Sequence, residues 1–304
     1  MNTRYTPKVV GQSRMIELDV LNIHVNEWGD PDAPLLLMLH GWMDVGASFQ
    51  FVVDALQNNW RVVAPDWRGF GLSDWPVQGL KAGRNYYFSD YLADLERLLL
   101  KLSPDAPARL VGHSMGANLA MLYAGIRPDR VAGVVNLEGF GLPDMPAHKA
   151  PEKYAKWLDA LQAPAPMRVY DSREAVAKRL MKNNYRLPME KALFLAEYWS
   201  QPVEGGFKVL GDPAHRIPSP FLYKVAEMRE IWKQIKAPVL HVEAKQTEAA
   251  FFMFKPGQEP DFDALRERFD VIENWKCELV DQAGHMVHHD QPEQLARLIE
   301  AHFK

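Results

Sequence analysis

The sequence predicts an α/β fold: a mostly parallel, eight-stranded sheet flanked by helices. Short runs that are apolar throughout, such as Leu35–Leu39, alternate with longer segments whose apolar residues recur at helical spacing, such as Phe88–Leu102. Strands that are apolar on both faces are typical of parallel sheets covered by helices on each side. Near the N-terminus, polar and apolar residues alternate in Ile16–Val20 and Ile23–Trp28, which indicates an antiparallel hairpin at the sheet edge.

The alternation of strands and helices is interrupted once. From Leu142 to about Lys236 the sequence shows helical periodicity and no convincing buried strand. The strand pattern then resumes at Pro238–Val242. We therefore expect residues 1–141 and 237–304 to form one core, with residues 142–236 inserted as a helical lid between strands six and seven.

Taken in chain order, the remaining elements follow from the same two periodicities. Further strands of the core are predicted at Trp60–Pro65, Arg109–Gly112, Val131–Leu137 and Trp275–Val280. Further helices of the core are predicted at Ser48–Gln57, Met115–Ile126, Asp261–Phe269 and Pro292–Phe303. Helices of the lid are predicted at Tyr154–Leu161, Ser172–Asn183, Met189–Ser200 and Pro220–Ile235.

Composition excludes several classes of protein. A net charge of −4 over 304 residues gives no basic face for nucleic acid, and no apolar run is long enough to span a bilayer. The single cysteine, Cys277, excludes an intrachain disulfide framework and favours a reducing compartment. We expect a cytoplasmic protein with a small-molecule partner, no nucleic acid and no membrane, and leave a homodimer open.

One stretch predicts a nucleophile. Gly112-His113-Ser114-Met115-Gly116 follows an apolar run and precedes a helical one, so Ser114 is expected in a sharp turn between a strand and a helix. Glycines on both sides allow the cramped backbone of such a turn, and the helix start favours negative charge. Taken alone, the same letters fit a helix N-cap serine flanked by glycines.

Two further motifs are expected at the same edge of the sheet. His40-Gly41-Trp42 ends the strand Leu35–Leu39, and Gly284-His285 follows the last strand. The carboxyl ends of parallel strands meet at one edge, so both motifs are expected to lie near Ser114. A serine, a histidine and free backbone N–H groups supply a nucleophile, a base and a site for an oxyanion.

With these residues in place, the chain resembles the α/β-hydrolase superfamily from about Ile16 to Lys304, and within it the lidded, esterase-like serine hydrolases of bacteria. The resemblance is carried, in order, by His40-Gly41-Trp42, Asp66-Trp67-Arg68-Gly69-Phe70-Gly71-Leu72-Ser73, Gly112-His113-Ser114-Met115-Gly116 and Gly284-His285. It implies that Ser114 is the nucleophile, that His285 is the base, and that the N–H groups of Trp42 and Met115 form the oxyanion hole. Serine at this turn argues against the dehalogenases and epoxide hydrolases, which have Asp there.

The third member of the catalytic triad is left open between two glutamates. The family usually places Asp after the strand Pro238–Val242, in a Gly-x-x-Asp context, but here the expected glycine is Ala244 and the expected acid is Thr247. Glu248 stands one residue further on. Some relatives carry the acid at the end of the preceding strand, where this chain has Glu138. Either loop would bring a carboxylate to His285, with a slight preference for Glu138.

The resemblance implies a serine hydrolase that acts on an ester or related acyl substrate through an acyl-enzyme. The many Met and Trp residues of the lid suggest an apolar portion in that substrate. Carbon–carbon bond hydrolysis and acyl transfer use the same triad, and a ligand-binding protein with slow or no turnover is the alternative from another class. We expect no cofactor, and no grouping of His, Asp and Glu has persuasive metal-ligand spacing.

Overall fold

In a computed structural model of the chain, residues 4–76, 85–162, 166–255 and 257–304 are described. Residues 1–3, 77–84 and 256 of the predicted core, and residues 163–165 of the predicted lid, lie outside these ranges. The strands are β1 (Gln12–Glu17), β2 (Asn22–Trp28), β3 (Leu35–Leu39), β4 (Arg61–Pro65), β5 (Ala108–His113), β6 (Val131–Leu137), β7 (Val169–Tyr170), β8 (Ser200–Val203), β9 (Gly206–Val209), β10 (Val239–Ala244) and β11 (Trp275–Val280).

Helices alternate with these strands in the core and dominate the inserted segment. They are α1 (Gln50–Val53), α2 (Phe88–Leu102), α3 (Met115–Ile126), α4 (Ala150–Gln162), α5 (Arg173–Asn183), α6 (Met189–Trp199), α7 (Val225–Trp232), α8 (Ala250–Met253), α9 (Phe262–Arg266), α10 (Val287–Asp290) and α11 (Pro292–His302). Short 3-10 turns occur at Gly46–Phe49, Pro128–Arg130, Ala147–Lys149, Pro213–Arg216 and Glu267–Phe269. None of the helices in the described ranges combines the length and apolar character that a bilayer crossing requires.

Eight strands form one sheet in the order β1-β2-β4-β3-β5-β6-β10-β11. The pairs β1–β2 and β2–β4 are antiparallel, and every other neighbouring pair is parallel. This confirms the predicted fold class and the N-terminal hairpin. The carboxyl ends of β3, β5, β6, β10 and β11 therefore share one edge, which is where a parallel sheet of this kind places its ligand.

The central strand β3 shows why an uninterrupted apolar run is needed here. Leu37 and Leu39 pack on one face of the sheet, in the hydrophobic cluster that includes residues of α2 and α3. Leu36 and Met38 pack on the other face, in the cluster that includes residues of α1 and α11. All four side chains have no exposed surface. Helices on both faces thus hold the sheet, and with it the loops at its carboxyl edge, in place.

The inserted segment is not wholly helical, which corrects the sequence prediction. Residues 142–236 lie in the chain between β6 and β10, the sixth and seventh strands of the large sheet, and they contain α4 to α7 together with a small antiparallel sheet in the order β7-β9-β8. Gly205 and Gly206 have φ of 81° and 144° and turn the chain between β8 and β9. Strands of two to four residues give too little alternation to be recognised, but the Gly-Gly pair was a hairpin signal.

Three predicted helices are shorter in the structure, and one of them, Asp261–Phe269, is α9 followed by the 3-10 turn Glu267–Phe269. The predicted helix Ser48–Gln57 is a 3-10 turn followed by the four residues of α1, and its side chains from Gly46 to Val53 are buried on all sides. The predicted helix Pro220–Ile235 is limited to α7. A helix buried all round lacks the polar face that marks its length in a sequence.

Candidate active site

Ser114 lies in a sharp turn between β5 and α3. Its backbone has φ of 51° and ψ of −112°, a conformation that is costly for a residue with a side chain. The flanking glycines are required by close packing: a Cβ at Gly112 would lie 2.5 Å from the backbone of Ala117, and one at Gly116 would lie 2.1 Å from the carbonyl oxygen of Leu39. The turn therefore holds the Ser114 hydroxyl above the edge of the sheet.

His285 follows β11 and lies beside Ser114. Its Nε2 is 3.0 Å from Ser114 Oγ, which is hydrogen-bond distance. The main chain of His285 is fixed by His113, whose Nε2–H donates to the His285 carbonyl oxygen at 2.7 Å. Burial holds the pKa of His113 well below its ordinary value, so His113 is neutral and acts as a fixed donor. This role of His113 was not predicted from the sequence.

Glu138 occupies the other side of the His285 ring. Its Oε2 lies 3.2 Å from His285 Nδ1 and accepts a hydrogen bond from the Thr247 hydroxyl. Its Oε1 accepts from the N–H of Ala244 at 2.6 Å. The side chain has no exposed surface, and its backbone φ is 56°. A buried carboxylate is tolerated only when it is hydrogen-bonded, and this one is bonded through both oxygens.

Glu248 also contacts His285, but at the main chain. Its Oε2 accepts from the His285 backbone N–H at 2.7 Å, and its Oε1 accepts from the Arg186 guanidinium at 2.9 Å. Burial alone would raise the pKa of Glu248, but these two donors hold it below its ordinary value. Of the two glutamates predicted for the triad, only Glu138 has its carboxylate at the imidazole.

The residues predicted for the oxyanion hole adjoin Ser114. Met115 follows it as the first residue of α3, where the backbone N–H has no partner within the helix. Trp42 comes three residues after β3 ends at Leu39, and it lines the same cavity as Ser114. Its neighbour Gly41 packs so closely that a Cβ there would lie 3.3 Å from Ser114 Cβ.

Backbone strain is concentrated around this site. Four non-glycine residues of the described chain have positive φ, and three of them are Met43 (56°), Ser114 and Glu138. Each follows the carboxyl end of a neighbouring strand: β3, β5 and β6, respectively. Strain of this kind persists only where the surrounding structure imposes it, and it collects at functional sites.

Ser114 and His285 open into a cavity of about 320 Å³. The core contributes residues 41–44, His113 and residues from the turn around His285. The inserted segment contributes the opposite lining: Met167, Arg168, Tyr170, Arg179, Leu180, Asn183, Asn184, Leu187, Leu195, Trp199, Val209 and Arg216. A cavity of this size with mostly apolar walls suits a small organic molecule.

Among the described residues, two groups of side chains have the composition of a metal site, and neither was predicted from the sequence. His241, Glu243 and Cys277 lie together, but both Glu243 carboxylate oxygens already accept from the Arg266 guanidinium. The second group is Asp44, His288 and His289.

Asp44, His288 and His289 are buried beside the cavity with ligand atoms within 4.8 Å of one another. Asp44 Oδ1 accepts from the indole N–H of Trp199, whereas Oδ2 lies 3.7 Å from His288 Nε2 without a hydrogen bond. Burial opposes ionisation of Asp44, but the two histidines hold its pKa well below the usual range. The bond to Trp199 ties the loop after β3 to the inserted segment. Adjacent histidines were the only sequence signal of this cluster.

Comparison with known proteins agrees with the fold. The profile described as the alpha/beta hydrolase fold matches residues 34–213, more than half of the chain. The chain belongs to the alpha/beta hydrolase family, which confirms its resemblance to the α/β-hydrolase superfamily.

Three relatives illustrate the range of similar proteins. The chain is 29% identical over 282 residues to a serine hydrolase-like protein of Danio rerio, covering 90% of this chain and 82% of that protein. It is 31% identical over 204 residues to 2-(acetamidomethylene)succinate hydrolase of Mesorhizobium japonicum, covering 66% of each. It is similar to the solved thioesterase domain from the curacin biosynthetic pathway, with a TM-score of 0.83, 26% identity and coverage of 96% and 99%.

Proposed function

We propose that this protein is a serine hydrolase that cleaves an ester or related acyl substrate through an acyl-enzyme. The observation that carries the proposal is the line of contacts from Ser114 Oγ to His285 Nε2, at 3.0 Å, and from His285 Nδ1 to Glu138 Oε2, at 3.2 Å. A nucleophile hydrogen-bonded to a base, with the base held by a buried acid, is the arrangement that activates a serine.

In the proposed reaction, Ser114 Oγ attacks the substrate carbonyl and passes its proton to His285 Nε2. Glu138 holds the imidazole in orientation and stabilises the imidazolium that forms. The backbone N–H groups of Trp42 and Met115 stabilise the tetrahedral oxyanion. His285 then protonates the leaving group, and in the second half of the reaction it activates the water that releases the acid from Ser114.

The substrate is proposed to be a small molecule with an apolar portion. Support comes from the cavity, where Met167, Leu180, Leu187, Leu195 and Trp199 lie among the lining residues. Residues 142–236 supply this side of the cavity, and we propose that they act as its lid. The relative from Mesorhizobium japonicum is named a hydrolase, which favours hydrolysis over acyl transfer. A cytoplasmic location is proposed from the single cysteine.

A fluorophosphonate probe and a panel of 4-nitrophenyl esters test the proposal. The wild type is expected to be labelled at Ser114 and to hydrolyse at least one ester, whereas Ser114→Ala is not labelled and loses about 10⁴- to 10⁶-fold in kcat. Ser219→Ala, at a serine distant from Ser114 in the chain, is the matched control and keeps both properties. A folded wild type that is neither labelled nor active would instead identify a ligand-binding protein on this fold.

A further inference from the structure

Three arginines of the inserted segment line the cavity that contains Ser114. Arg168 precedes β7, Arg179 lies on α5, and Arg216 ends the 3-10 turn Pro213–Arg216. All three side chains are exposed. They come from three separate stretches of the chain, so the fold and not the local sequence brings them to one cavity.

No carboxylate of the described residues neutralises the three guanidinium groups. Within the described ranges, none of them forms an ion pair with a carboxylate. The Arg168 guanidinium carbon lies 5.0 Å from the centre of the Tyr170 ring, and Arg216 Nη1 donates to the carbonyl oxygen of Pro166 at 3.2 Å. These contacts orient two of the groups and leave their positive charges free for a ligand.

The cavity therefore differs in charge from the rest of the molecule. Among the described residues, its lining contains three arginines and one carboxylate, that of Asp44, whereas the whole chain has a net charge of −4. Asp44 is buried, and one of its oxygens is bonded to the Trp199 indole. A concentration of one sign of charge around a cleft raises the local concentration of ligands of the opposite sign.

We propose that the substrate carries an anionic group, a carboxylate or a phosphate, in addition to its apolar portion, and that Arg168, Arg179 and Arg216 recognise it. The proposal rests on the serine-hydrolase function proposed above and specifies its substrate class. Guanidinium groups form charge-assisted, often two-pronged hydrogen bonds with carboxylate and phosphate. The apolar walls then hold the part of the molecule between the anion and the reacting carbonyl.

Pairs of charged and uncharged substrates test the proposed anion site. Two arms distinguish a charge on the acyl part from a charge on the leaving group. In the first arm, the charge lies on the acyl part: 4-nitrophenyl hydrogen adipate is compared with its uncharged methyl ester. In the second arm, the charge lies on the leaving group: butanoyl-coenzyme A is compared with the uncharged S-butanoyl-N-acetylcysteamine. In at least one arm the wild type is expected to prefer the charged substrate, through a lower KM that rises with ionic strength.

Variants then test whether the preference for charged substrates depends on the three arginines. Arg179→Gln is expected to lower the ratio of kcat/KM for the charged substrate to that for its neutral partner by about three- to tenfold, mainly through KM. The triple variant Arg168→Gln, Arg179→Gln, Arg216→Gln is expected to lower it further, and Arg179→Lys to retain part of it. Lys182→Gln removes an exposed positive charge from the same helix without lining the cavity, and it should leave the ratio unchanged.

The possible outcomes distinguish failure of the proposed anion site from failure of the proposed serine-hydrolase function. If neutral substrates are hydrolysed and neither arm shows a preference for the charged substrate, the anion site is refuted and the hydrolase function stands. The same holds if the triple variant keeps the preference of the wild type. If no substrate is cleaved, the proposed hydrolase function fails, and calorimetric titration with adipate and with inorganic phosphate decides the anion site. Binding that is weakened by Arg179→Gln and not by Lys182→Gln would support it, and equal or absent binding would overturn it.

Discussion

The loops after β6 and β10 each bring a glutamate to His285, and the two glutamates contact different parts of it. Glu138, after β6, has Oε2 at 3.2 Å from the ring nitrogen Nδ1. Glu248, after β10, accepts from the backbone N–H at 2.7 Å. A carboxylate at the ring responds to the charge of the imidazole during a reaction, whereas one at the main chain fixes where the loop lies.

The surroundings of the two carboxylates reinforce this difference. Glu138 is fully buried, and its donors are the neutral groups of Ala244 and Thr247. The side chain of Glu248 is 31% exposed, and its charge is paired with Arg186 of the inserted segment. The negative charge of Glu138 is therefore directed at His285, while that of Glu248 joins the core to the inserted segment. Residue type and proximity alone do not decide which role a carboxylate takes.

The largest expected effect comes from removing the charge at Glu138. Glu138→Gln keeps the size of the side chain but cannot stabilise an imidazolium, and its amide favours the wrong tautomer of His285. We expect kcat for a 4-nitrophenyl ester to fall by about 10³- to 10⁴-fold. Circular dichroism on heating checks that the variant is folded. A loss below about tenfold in a folded variant would mean that Glu138 does not orient the base.

A second substitution tests whether catalysis requires Glu138 itself or only a negative charge near the His285 ring. The Thr247 hydroxyl donates to the same Glu138 oxygen that faces His285 Nδ1. In the Glu138→Gln background, Thr247→Asp introduces a carboxylate at the residue that contacts this oxygen, and we expect it to recover about ten- to a hundredfold of the lost kcat. Thr247→Asn is the uncharged control. Equal activity of the two double variants would refute a role for charge at this point.

The residues around His285 also show what the sequence could and could not predict. Ser114 and His285 were predictable because a strand–turn–helix motif and the topology of a parallel sheet fix their positions without knowledge of side-chain directions. The choice between Glu138 and Glu248 was not, because both loops end at the same edge. It depends on the positive φ of Glu138 and on hydrogen bonds from a neighbouring loop, neither of which leaves a pattern in the sequence.

Other features were missed for a related reason. The cluster of Asp44, His288 and His289 joins the loop after β3 to α10, more than 240 residues further along the chain. The three cavity arginines come from three stretches of the inserted segment. Periodicity reports the local face of an element and spacing reports local turns. Neither periodicity nor spacing predicts which distant loops lie together, except where the regular geometry of a sheet places them at one edge.

Removing the charge at Glu248 is expected to have a smaller effect on catalysis. The amide oxygen of Glu248→Gln still accepts from the His285 N–H, and only the ion pair with Arg186 is weakened. We expect kcat for the ester used with Glu138→Gln to fall by less than about tenfold, as for loss of a partly exposed ion pair. A loss as large as that of Glu138→Gln would remove the distinction between the two loops.

The smallest effect, and the one specific to Glu248, is on the pH dependence of stability. Folding lowers its pKa, so Glu248 stabilises the folded state at pH values above its unfolded-state pKa, and this stabilisation is lost as the pH falls through the folded-state pKa. The free energy of unfolding in urea should therefore differ between wild type and Glu248→Gln by no more than about 1 kcal/mol near neutral pH. That difference should shrink toward about pH 3. Glu230→Gln, at an exposed position of α7, is the control. A difference that stays constant or grows in acid would show that the charge of Glu248 does not stabilise the junction between core and insertion.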